Sequence, residues 1–480
     1  MNIKYNLILI SFLLSILGFF FTLNSSVKFP GYEYLFLLPI SYFIGLLIVS
    51  STLTNSKLLR HKITLSFIWV LGTIRLILIP ISISLASQEP GISYINPSPS
   101  NINEAIVMIA YEWFTICVFL SVYFSLLVPK SLSEERDHLP ILSGNKFIYL
   151  LFVTVSFLLM IYYGLTSPYI NFIYIDLGST GERIGDETNT LNVLLLQVIQ
   201  IGIMLSFLMF INNYQKKYAI YNRNIYFYIP LAFALISLLI IVGERRSTQI
   251  YMFLILTYIL IIFYKNKKKQ ILTYLSSAVL LVLVLMSIYK FSYAFLHGSY
   301  TAALQSSTFE WDEVSSLLQS YFFGPENVAI AIEFSKQTLS NNFNFIFDFF
   351  RSVFGFSFLF KESSYQLTST KFNTFIYGYD RSNGHLLSSL GYGYLYFGPI
   401  LAPICTLFNI SIAILLEKLL PRLKSLEILY LVLFILFRYS FGLFGSPPPL
   451  ISLSTIMLGT AGTLFLISIA FRIRVSTQKV

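Results

Sequence analysis

The chain has 480 residues, of which 56% are hydrophobic and 17% aromatic, while only 11% are charged. A soluble globular domain does not bury that much apolar surface, so the composition excludes a soluble protein and predicts an integral membrane protein. The net charge of +10 does not indicate nucleic-acid binding, because the basic residues lie in short clusters between apolar runs. Cys117 and Cys405 both fall inside apolar runs, which predicts neither a disulfide framework nor a cysteine metal site.

A membrane-spanning helix needs about 20 mostly apolar residues. Twelve runs meet this requirement: Tyr5–Leu23, Tyr34–Thr52, Thr64–Leu85, Ala105–Leu127, Phe147–Gly164, Leu191–Ile211, Ile225–Val242, Thr248–Phe263, Ile271–Tyr289, Phe397–Leu416, Leu426–Phe444 and Leu450–Ala470. The first run lacks a convincing small-residue cleavage site after it, so we expect an uncleaved first span. The predicted fold is an all-α, polytopic membrane protein with about twelve transmembrane helices.

Clusters of Lys and Arg occupy every second connection between these runs. Lys57 and Arg60 follow the second run, and four lysines at 265 and 267–269 follow the eighth. The connection 86–104, by contrast, contains neither Lys nor Arg. Because cytosolic connections carry an excess of these residues, both termini are predicted to lie in the cytosol.

This topology divides the chain into three parts. Residues 1–289 hold the first nine spans, residues 290–384 form a large extracytoplasmic loop, and residues 385–480 hold the last three spans. The loop concentrates nearly a hundred residues on the predicted outer face. Long connections on a helical scaffold often carry function.

Two short helices are predicted within the large loop. Segment 343–360 is apolar enough to span, but a span there would turn the later basic connections outward. We therefore expect an aromatic helix in the outer interface, between spans 9 and 10, with Asp348 and Arg351 on its wet side. A second helix is expected from Pro325 to about Lys336, because Pro and Glu are favoured in a first turn.

Three charges, Arg75, Glu112 and Arg438, lie well inside predicted spans, where an Arg costs about 2.5 to 3.5 kcal/mol on insertion scales. Arg75 in the third span and Glu112 in the fourth lie at similar depths, so they can pair between adjacent antiparallel helices. Such a pair is either a structural ion pair or the wall of a binding site. Arg438 lies two thirds of the way along the eleventh span, from which its guanidinium can extend to the surface.

Four further arginines lie in connections predicted to face outward: Arg183, Arg245, Arg246 and Arg381. Arg245 and Arg246 are adjacent in the short connection 243–247 (GERRS). The planar guanidinium binds phosphate oxygens in pairs, so these two are candidates for a pyrophosphate clamp, with lipid phosphates as the alternative ligand. Arg183 and Arg381 have carboxylate neighbours, so they are either further ligands or solvated side chains.

His385 begins the segment HLLSSLGYGYLYFGPI, where a polar stretch passes into glycine-interrupted apolar sequence. Helix breaks and cavities are tolerated at such places in membranes. Histidine titrates near neutrality, so His385 is a candidate base for a sugar hydroxyl. A lone histidine at a helix start is also a common cap or interfacial group, and spacing alone does not decide between these roles.

Segment 243–247, the large aromatic outer loop and segment 385–398 together resemble the O-antigen and capsule repeat-unit polymerases, the Wzy class. The layout of spans and loops agrees over nearly the whole chain. Related O-antigen ligases share a His followed by a Glu-x-Gly turn. Here the corresponding region carries Tyr392, Gly393 and Tyr394 without a carboxylate, which favours a polymerase over a ligase.

The resemblance implies a glycosyltransferase that joins undecaprenyl-pyrophosphate-linked repeat units at the outer face of the bacterial cytoplasmic membrane. We expect it to be metal-independent, because the sequence contains no Asp-x-Asp motif. The product would be O-antigen, capsule or exopolysaccharide. His385 would accept the acceptor's proton, while Arg245 and Arg246, with Arg183 or Arg381, would neutralise the departing pyrophosphate. No cofactor or metal is implied. The partners would be the lipid-linked glycan, membrane lipids, a chain-length regulator and a flippase, and no nucleic acid.

The main alternative is a flippase for lipid-linked oligosaccharides, which also has about twelve spans and buried cations. Flippases have short connections on both faces, so the large loop favours an enzyme. A glycosyltransferase that uses a lipid-phosphate sugar would present an acidic base in its first outer loop. The first outer loop of this chain, residues 24–31, has no acidic residue, and its only charged residue is Lys28.

Overall fold

The computed structural model describes residues 3–25, 29–53, 62–86, 95–127, 139–166, 170–172, 190–242, 246–294, 311–338, 342–359, 366–378 and 385–477. This part of the chain is almost entirely helical. Two three-residue strands, β1 (Ile170–Phe172) and β2 (Ile240–Val242), pair antiparallel with Ile170 opposite Val242. The all-α fold class predicted from composition and periodicity is therefore confirmed.

The helices of the first two thirds of the chain are α1 (Ile3–Ser25), α2 (Leu37–Leu53), α3 (Lys62–Thr73), α4 (Ile79–Leu85), α5 (Pro99–Val122), α6 (Lys146–Thr166), α7 (Thr190–Tyr221), α8 (Ile225–Leu239), α9 (Arg246–Phe263) and α10 (Lys268–Ala294). Those that follow are α11 (Trp311–Phe322), α12 (Pro325–Gln337), α13 (Asn342–Ser352), α14 (Phe356–Leu359), α15 (Thr368–Tyr377), α16 (Ser389–Leu401), α17 (Ile404–Leu419), α18 (Leu426–Phe441), α19 (Pro447–Met457) and α20 (Thr463–Thr477). π-Helical turns at Ile74–Leu78 and Leu458–Gly462 join α3 to α4 and α19 to α20.

Several helices are long and apolar enough to cross a bilayer. Among the described residues these are Ile63–Leu85, Pro99–Ser125, Leu194–Tyr221, Ile404–Arg422 and Pro447–Arg472. Shorter apolar helices cover Leu9–Leu23, Leu37–Val49, Lys146–Tyr162, Ile225–Leu239 and Gln249–Phe263. These helices indicate a multi-pass membrane protein, because a helix satisfies its own backbone hydrogen bonds in lipid.

The chain forms two compact units. The first contains residues 1–133, 308–418 and 438–453, and the second contains residues 134–307, 419–437 and 454–480. The first unit therefore combines the amino-terminal helices with most of the described part of the large loop. The candidate site lies in this first unit.

Trp113 of α5 lies at the core of the first unit, with only 2% of its surface exposed. Its ring stacks on Tyr42 of α2, with 5.4 Å between the ring centroids. Gly72 lies so close that a Cβ there would be 2.5 Å from the Trp113 ring, and Gly45 packs against the same indole. Small residues thus allow these helices to approach closely, as in many membrane helix pairs.

Helices α11 and α12 form a hairpin inside the first unit. Its tip is Phe323 and Gly324, and Phe323 adopts a left-handed backbone conformation with φ of 56°. Helix α11 packs against α4, while α12 packs against α5 and α16. The predicted helix from Pro325 to about Lys336 is confirmed, but its residues from Pro325 to Ile332 are all buried.

Helices α16 and α17 form a second, antiparallel hairpin. Gly398, with φ of 71°, and Pro399 interrupt α16 near its end, so the predicted start of the tenth span at Phe397 is too early. Gly393 faces Ala402 across the hairpin, and a Cβ at Gly393 would overlap the Ala402 carbonyl oxygen. The hairpin can close this tightly because position 393 has no side chain.

A buried carboxylate organises one end of the second unit. Glu427, in the first turn of α18, is fully buried. Its Oε1 accepts hydrogen bonds from the backbone N–H groups of Ser143 and Gly144 at 2.7 and 2.8 Å and from the Tyr149 hydroxyl at 2.9 Å. The segment before α6 is thereby fixed to the start of α18.

Candidate functional site

Four interruptions of helical structure meet in the first unit. They are the π-turn Ile74–Leu78, the hairpin tip 323–324, the start of α16 and the segment 442–446 between α18 and α19. Non-helical backbone at membrane depth is tolerated only where protein buries it or where it lines a cavity. Interrupted helices often form the substrate sites of membrane proteins, which makes this region the candidate site.

Arg75 and Glu112 form an ion pair where these interruptions meet. Arg75 Nη1 lies 2.5 Å from Glu112 Oε2, and the two side chains are 2% and 0% exposed. Arg75 Nε donates to the carbonyl of Phe323 at 2.8 Å, and the guanidinium lies 4.4 Å above the Phe444 ring. The predicted pair is confirmed, and it also holds the tip of the α11–α12 hairpin.

The second oxygen of Glu112 connects the pair to the α16–α17 hairpin. Glu112 Oε1 accepts a hydrogen bond from Thr406 and a longer one, 3.5 Å, from the Ser389 hydroxyl. The Ser389 and Thr406 hydroxyls are 2.6 Å apart. Because a buried ion pair is tolerated only when further hydrogen bonds compensate for its lost hydration, these contacts favour a structural role for Arg75 and Glu112.

His385 lies four residues before Ser389, the first residue of α16. Its Nδ1 is 3.0 Å from the Tyr377 hydroxyl oxygen, and the imidazole and phenol rings meet edge to face. Both residues are half-buried. One ring nitrogen of His385 is thereby oriented, which is one requirement of a general base or acid, while Nε2 is buried in the protein.

A non-helical segment leads from His385 to the ion pair. Leu387 accepts a hydrogen bond from the Ser446 N–H at 3.0 Å, and the Ser389 N–H donates to Phe444 at 2.7 Å. Ser388 pairs with Gly445 between these contacts, and its hydroxyl caps α16. Four extended residues span at most about 14 Å, so His385 lies within that distance of Ser389.

Asp348 is buried beside this segment, which corrects the prediction that it lies on the wet side of its helix. Only 1% of Asp348 is exposed, and it accepts hydrogen bonds from the Thr368 N–H and the Tyr392 hydroxyl, both at 3.1 Å. Arg351 is half-buried. In this buried position the Asp348 carboxylate receives two hydrogen bonds. The exposed face of α13 is therefore its apolar one. That face contains Ile346, Phe347 and Phe350.

A mixed polar cluster lies at the amino-terminal end of α5. Glu104 accepts hydrogen bonds from Lys336 at 2.6 Å and from the Tyr394 hydroxyl at 2.5 Å. Lys336 also donates to the Asn101 side chain at 2.7 Å. The Lys336 and Glu104 side chains are 47% and 31% exposed, so their donors and acceptors remain accessible to a polar ligand such as a sugar.

Glu33, between α1 and α2, bonds to the same end of α5. It accepts hydrogen bonds from the Gly31 N–H at 3.1 Å and from the Asn103 side chain at 2.5 Å. The backbone N–H groups of Gly31 and of Glu33 itself, with the Asn103 amide, hold the pKa of Glu33 below its ordinary range. The carboxylate therefore stays ionised and fixes this connection to α5.

The predicted pyrophosphate ligands are placed only in part. Arg246 is the first residue of α9, but its side chain lies outside the described residues, as do Arg183, Arg245 and Arg381. The clamp therefore stays a prediction. Arg438 is half-buried in the last turn of α18, where its carbonyl accepts a hydrogen bond from the Gly442 N–H.

A small cavity lies in the second unit beside the first turns of α9. Its lining includes Met204, Gln249, Met252 and Tyr430. It offers about 30 Å³ to solvent, which is room for about one water molecule. Within the described ranges, no group of three or more His, Cys, Asp or Glu side chains is arranged to hold a metal ion.

Sequence reasoning missed Tyr377, Ser389 and Thr406. The sequence does carry a signal for a helix end at Tyr377, because glycine is favoured directly after a helix. In the structure Gly378 has φ of 75° and caps α15. Ser389 and Thr406 carry no such signal, since their contact depends on how the α16–α17 hairpin closes.

Comparison of the chain with protein-family models, with curated proteins and with solved structures finds no match. A function for this protein therefore rests on its own residues and their geometry.

Proposed function

We propose that this protein is a membrane-embedded glycosyltransferase that polymerises undecaprenyl-pyrophosphate-linked oligosaccharide repeat units. The observation that carries the proposal is the placement of His385, whose Nδ1 is bound by Tyr377 shortly before the interrupted helix α16. This arrangement provides an oriented base beside a non-helical segment, as transfer to a sugar hydroxyl requires. The product would be O-antigen, capsule or exopolysaccharide.

The proposal includes a topology of twelve spans in the bacterial cytoplasmic membrane, with both termini in the cytosol. The connection 86–104 has no Lys or Arg, so it supports an outward amino-terminal end of α5. The polar cluster of Glu104 and Lys336 would then face the outer surface. Lipid-linked repeat units would reach these residues from the outer leaflet.

In the proposed reaction, a hydroxyl oxygen of the acceptor sugar attacks the anomeric carbon of the donor. The bond between that carbon and the pyrophosphate oxygen breaks, and undecaprenyl pyrophosphate leaves with the bonding electrons. His385 takes the hydroxyl proton and later releases it to water. Arg245 and Arg246, with Arg183 or Arg381, would stabilise the negative charge that develops on the leaving pyrophosphate.

The polar cluster around Glu104 suits a carbohydrate. Glu104, Lys336 and Tyr394 offer a carboxylate, an ammonium and a phenol, which together donate to and accept from sugar hydroxyls. Trp311 and Tyr321 of α11 are 41% and 48% exposed, and a sugar can pack on the exposed part of an aromatic ring.

A flippase is the second candidate, and the ion pair of Arg75 and Glu112 favours it. Charged residues between interrupted helices are common at the substrate sites of transporters. Against this, the pair is engaged by Phe323, Thr406 and Ser389, which leaves its carboxylate well bonded within the protein. A flippase also has no requirement for an oriented base.

Incubation of the purified protein with lipid-linked repeat units tests the proposal. The expected product is a ladder of longer lipid-linked glycans on a gel. H385A should bind the donor but lose about 10² to 10⁴ in rate, whereas H61A, in a predicted cytosolic connection, should retain the rate. Wild-type protein that moves lipid-linked units between leaflets without joining them would instead establish a flippase.

A further inference from the structure

Tyr377 makes a directed contact with His385. The hydroxyl oxygen and Nδ1 are 3.0 Å apart, and the planes of the two rings are inclined at 84°, with 5.9 Å between centroids. This distance is that of a hydrogen bond. Tyr377 is the last residue of α15 and His385 follows eight residues later, before α16, so the contact joins the ends of two elements.

Helix α15 is anchored to other elements at its start and centre and is capped at its end. The Thr368 N–H at its start donates to Asp348, and Phe372 at its centre is fully buried against Phe334, with 5.5 Å between ring centroids. At its end, the Gly378 N–H donates to the Thr374 carbonyl at 2.8 Å. The Tyr377 phenol is therefore presented from a rigid element, which is what accurate placement of a functional side chain requires.

The direction of this hydrogen bond determines which nitrogen of His385 can act as a base. A tyrosine hydroxyl can accept or donate a hydrogen bond, so two arrangements are possible. If Nδ1–H donates to Tyr377, Nε2 carries the lone pair and can accept a proton. If the hydroxyl donates to Nδ1, Nε2 carries the proton and cannot act as a base.

Only the first arrangement survives proton transfer without rearrangement. After Nε2 takes a proton, the imidazolium still has a proton on Nδ1, and that proton can still be donated to the Tyr377 oxygen. In the second arrangement Nδ1 is the only nitrogen with a lone pair. The Tyr377 hydroxyl would have to withdraw its hydrogen bond before Nδ1 could take a proton. A preorganised hydrogen bond costs no reorganisation at the moment of reaction.

We propose that Tyr377 is a positioning residue that accepts the Nδ1–H of His385 and thereby holds the imidazole in the tautomer with a basic Nε2. This inference rests on the proposed function, because the choice of tautomer follows from the role of His385 as a base. The tautomer itself is a property of the unliganded protein and can be measured without any substrate.

The kinetic test compares Y377F with the wild type and with Y228F. Tyr228 is 42% exposed on α8, so Y228F makes the same chemical change in the other compact unit. Loss of one hydrogen bond to the base should lower kcat about tenfold with little change in KM. Y228F should match the wild type. Equal kcat values for Y377F and wild type, with H385A inactive, would overturn the positioning role while leaving the proposed function in place.

The structural test uses a variant in which His385 is the only histidine, with H61Q, H138Q and H297Q. Solid-state NMR of the ¹⁵N-histidine-labelled protein in lipid distinguishes a protonated ring nitrogen from a bare one. In the otherwise wild-type protein we expect protonated Nδ1 and bare Nε2, and in Y377F a shift of population toward protonated Nε2. Identical spectra, or protonated Nε2 in both proteins, would overturn the inference. Failure of the wild type to polymerise would reject the proposed function alone.

Discussion

Arg75 Nη1 lies 2.5 Å from Glu112 Oε2, and neither side chain has more than 2% of its surface exposed. Removal of one partner leaves the other as an unpaired buried charge, so E112Q should destabilise the protein by about 3 to 5 kcal/mol. Adding R75Q should recover part of this loss, because no unpaired charge then remains. Thermal unfolding of the purified single and double variants in detergent measures both effects.

The ion pair of Lys336 and Glu104 provides a matched control for this experiment. Its side chains are 47% and 31% exposed, so water already solvates both charges. K336Q should change stability by only about 0 to 1 kcal/mol. If E112Q and R75Q instead show equal and additive losses, the two buried residues are not energetically coupled.

Gly393 should not tolerate a side chain. A Cβ at this position would overlap the carbonyl oxygen of Ala402, which is backbone and cannot rotate away. G393V should therefore open the α16–α17 hairpin and sharply reduce the yield of folded protein, measured by fluorescence-detected size-exclusion chromatography. Gly462 is the control, since no atom lies within 4 Å of a Cβ built there, and G462A should elute like the wild type.

The elements that sequence predicted correctly are those that depend on local chemistry. Helix α12 was located from Pro325 and Glu326 in a first turn, and the pairing of Arg75 with Glu112 followed from the cost of a lone charge in lipid. The burial of α12 was not predicted, because its polar residues are typical of a surface helix. Glu326 is 2% exposed and satisfied by Gln319, a partner that depends on the hairpin fold.

Of the contacting pair His385 and Tyr377, the sequence predicted only His385 as a site residue. His385 stood out because it precedes a glycine-interrupted apolar stretch, which is visible in the sequence. Tyr377 is one of 33 tyrosines, and only the packing of α15 brings it to the imidazole. Asp348 was misplaced for a similar reason, since its partners Thr368 and Tyr392 lie far from it in the chain.

Asp348 is predicted to stabilise the scaffold of Tyr377. D348A removes the acceptor of the Thr368 N–H and of the Tyr392 hydroxyl, and each buried donor left without a partner costs about 1 to 3 kcal/mol. Adding Y392F should reduce the loss, because it removes one of the two donors. The midpoint of thermal unfolding tests this. A smaller loss in D348A alone than in the double variant would contradict the assigned hydrogen bonds.

Glu427 is predicted to protect the backbone before α6 from exchange with solvent. In E427A the N–H groups of Ser143 and Gly144 lose their acceptor, so hydrogen–deuterium exchange at these amides should accelerate. S425A is the matched control, because Ser425 donates to the other carboxylate oxygen at 2.6 Å and its removal leaves both amide contacts intact. Protection that persists in E427A would show that other contacts hold this segment.

The proposed topology places Gln366 outside the cell and Lys267 in the cytosol. Cys117 and Cys405 are buried, with 1% and 3% of their surfaces exposed, and C117A with C405A provides a background without cysteine. Q366C should then react with a membrane-impermeant maleimide in intact cells, whereas K267C should react only after the membrane is opened. Both positions lie in connections, so neither substitution alters a predicted span. Reaction of Q366C only in opened cells would place α15 and His385 on the cytosolic face, away from the proposed donor, and the polymerase proposal would have to be abandoned.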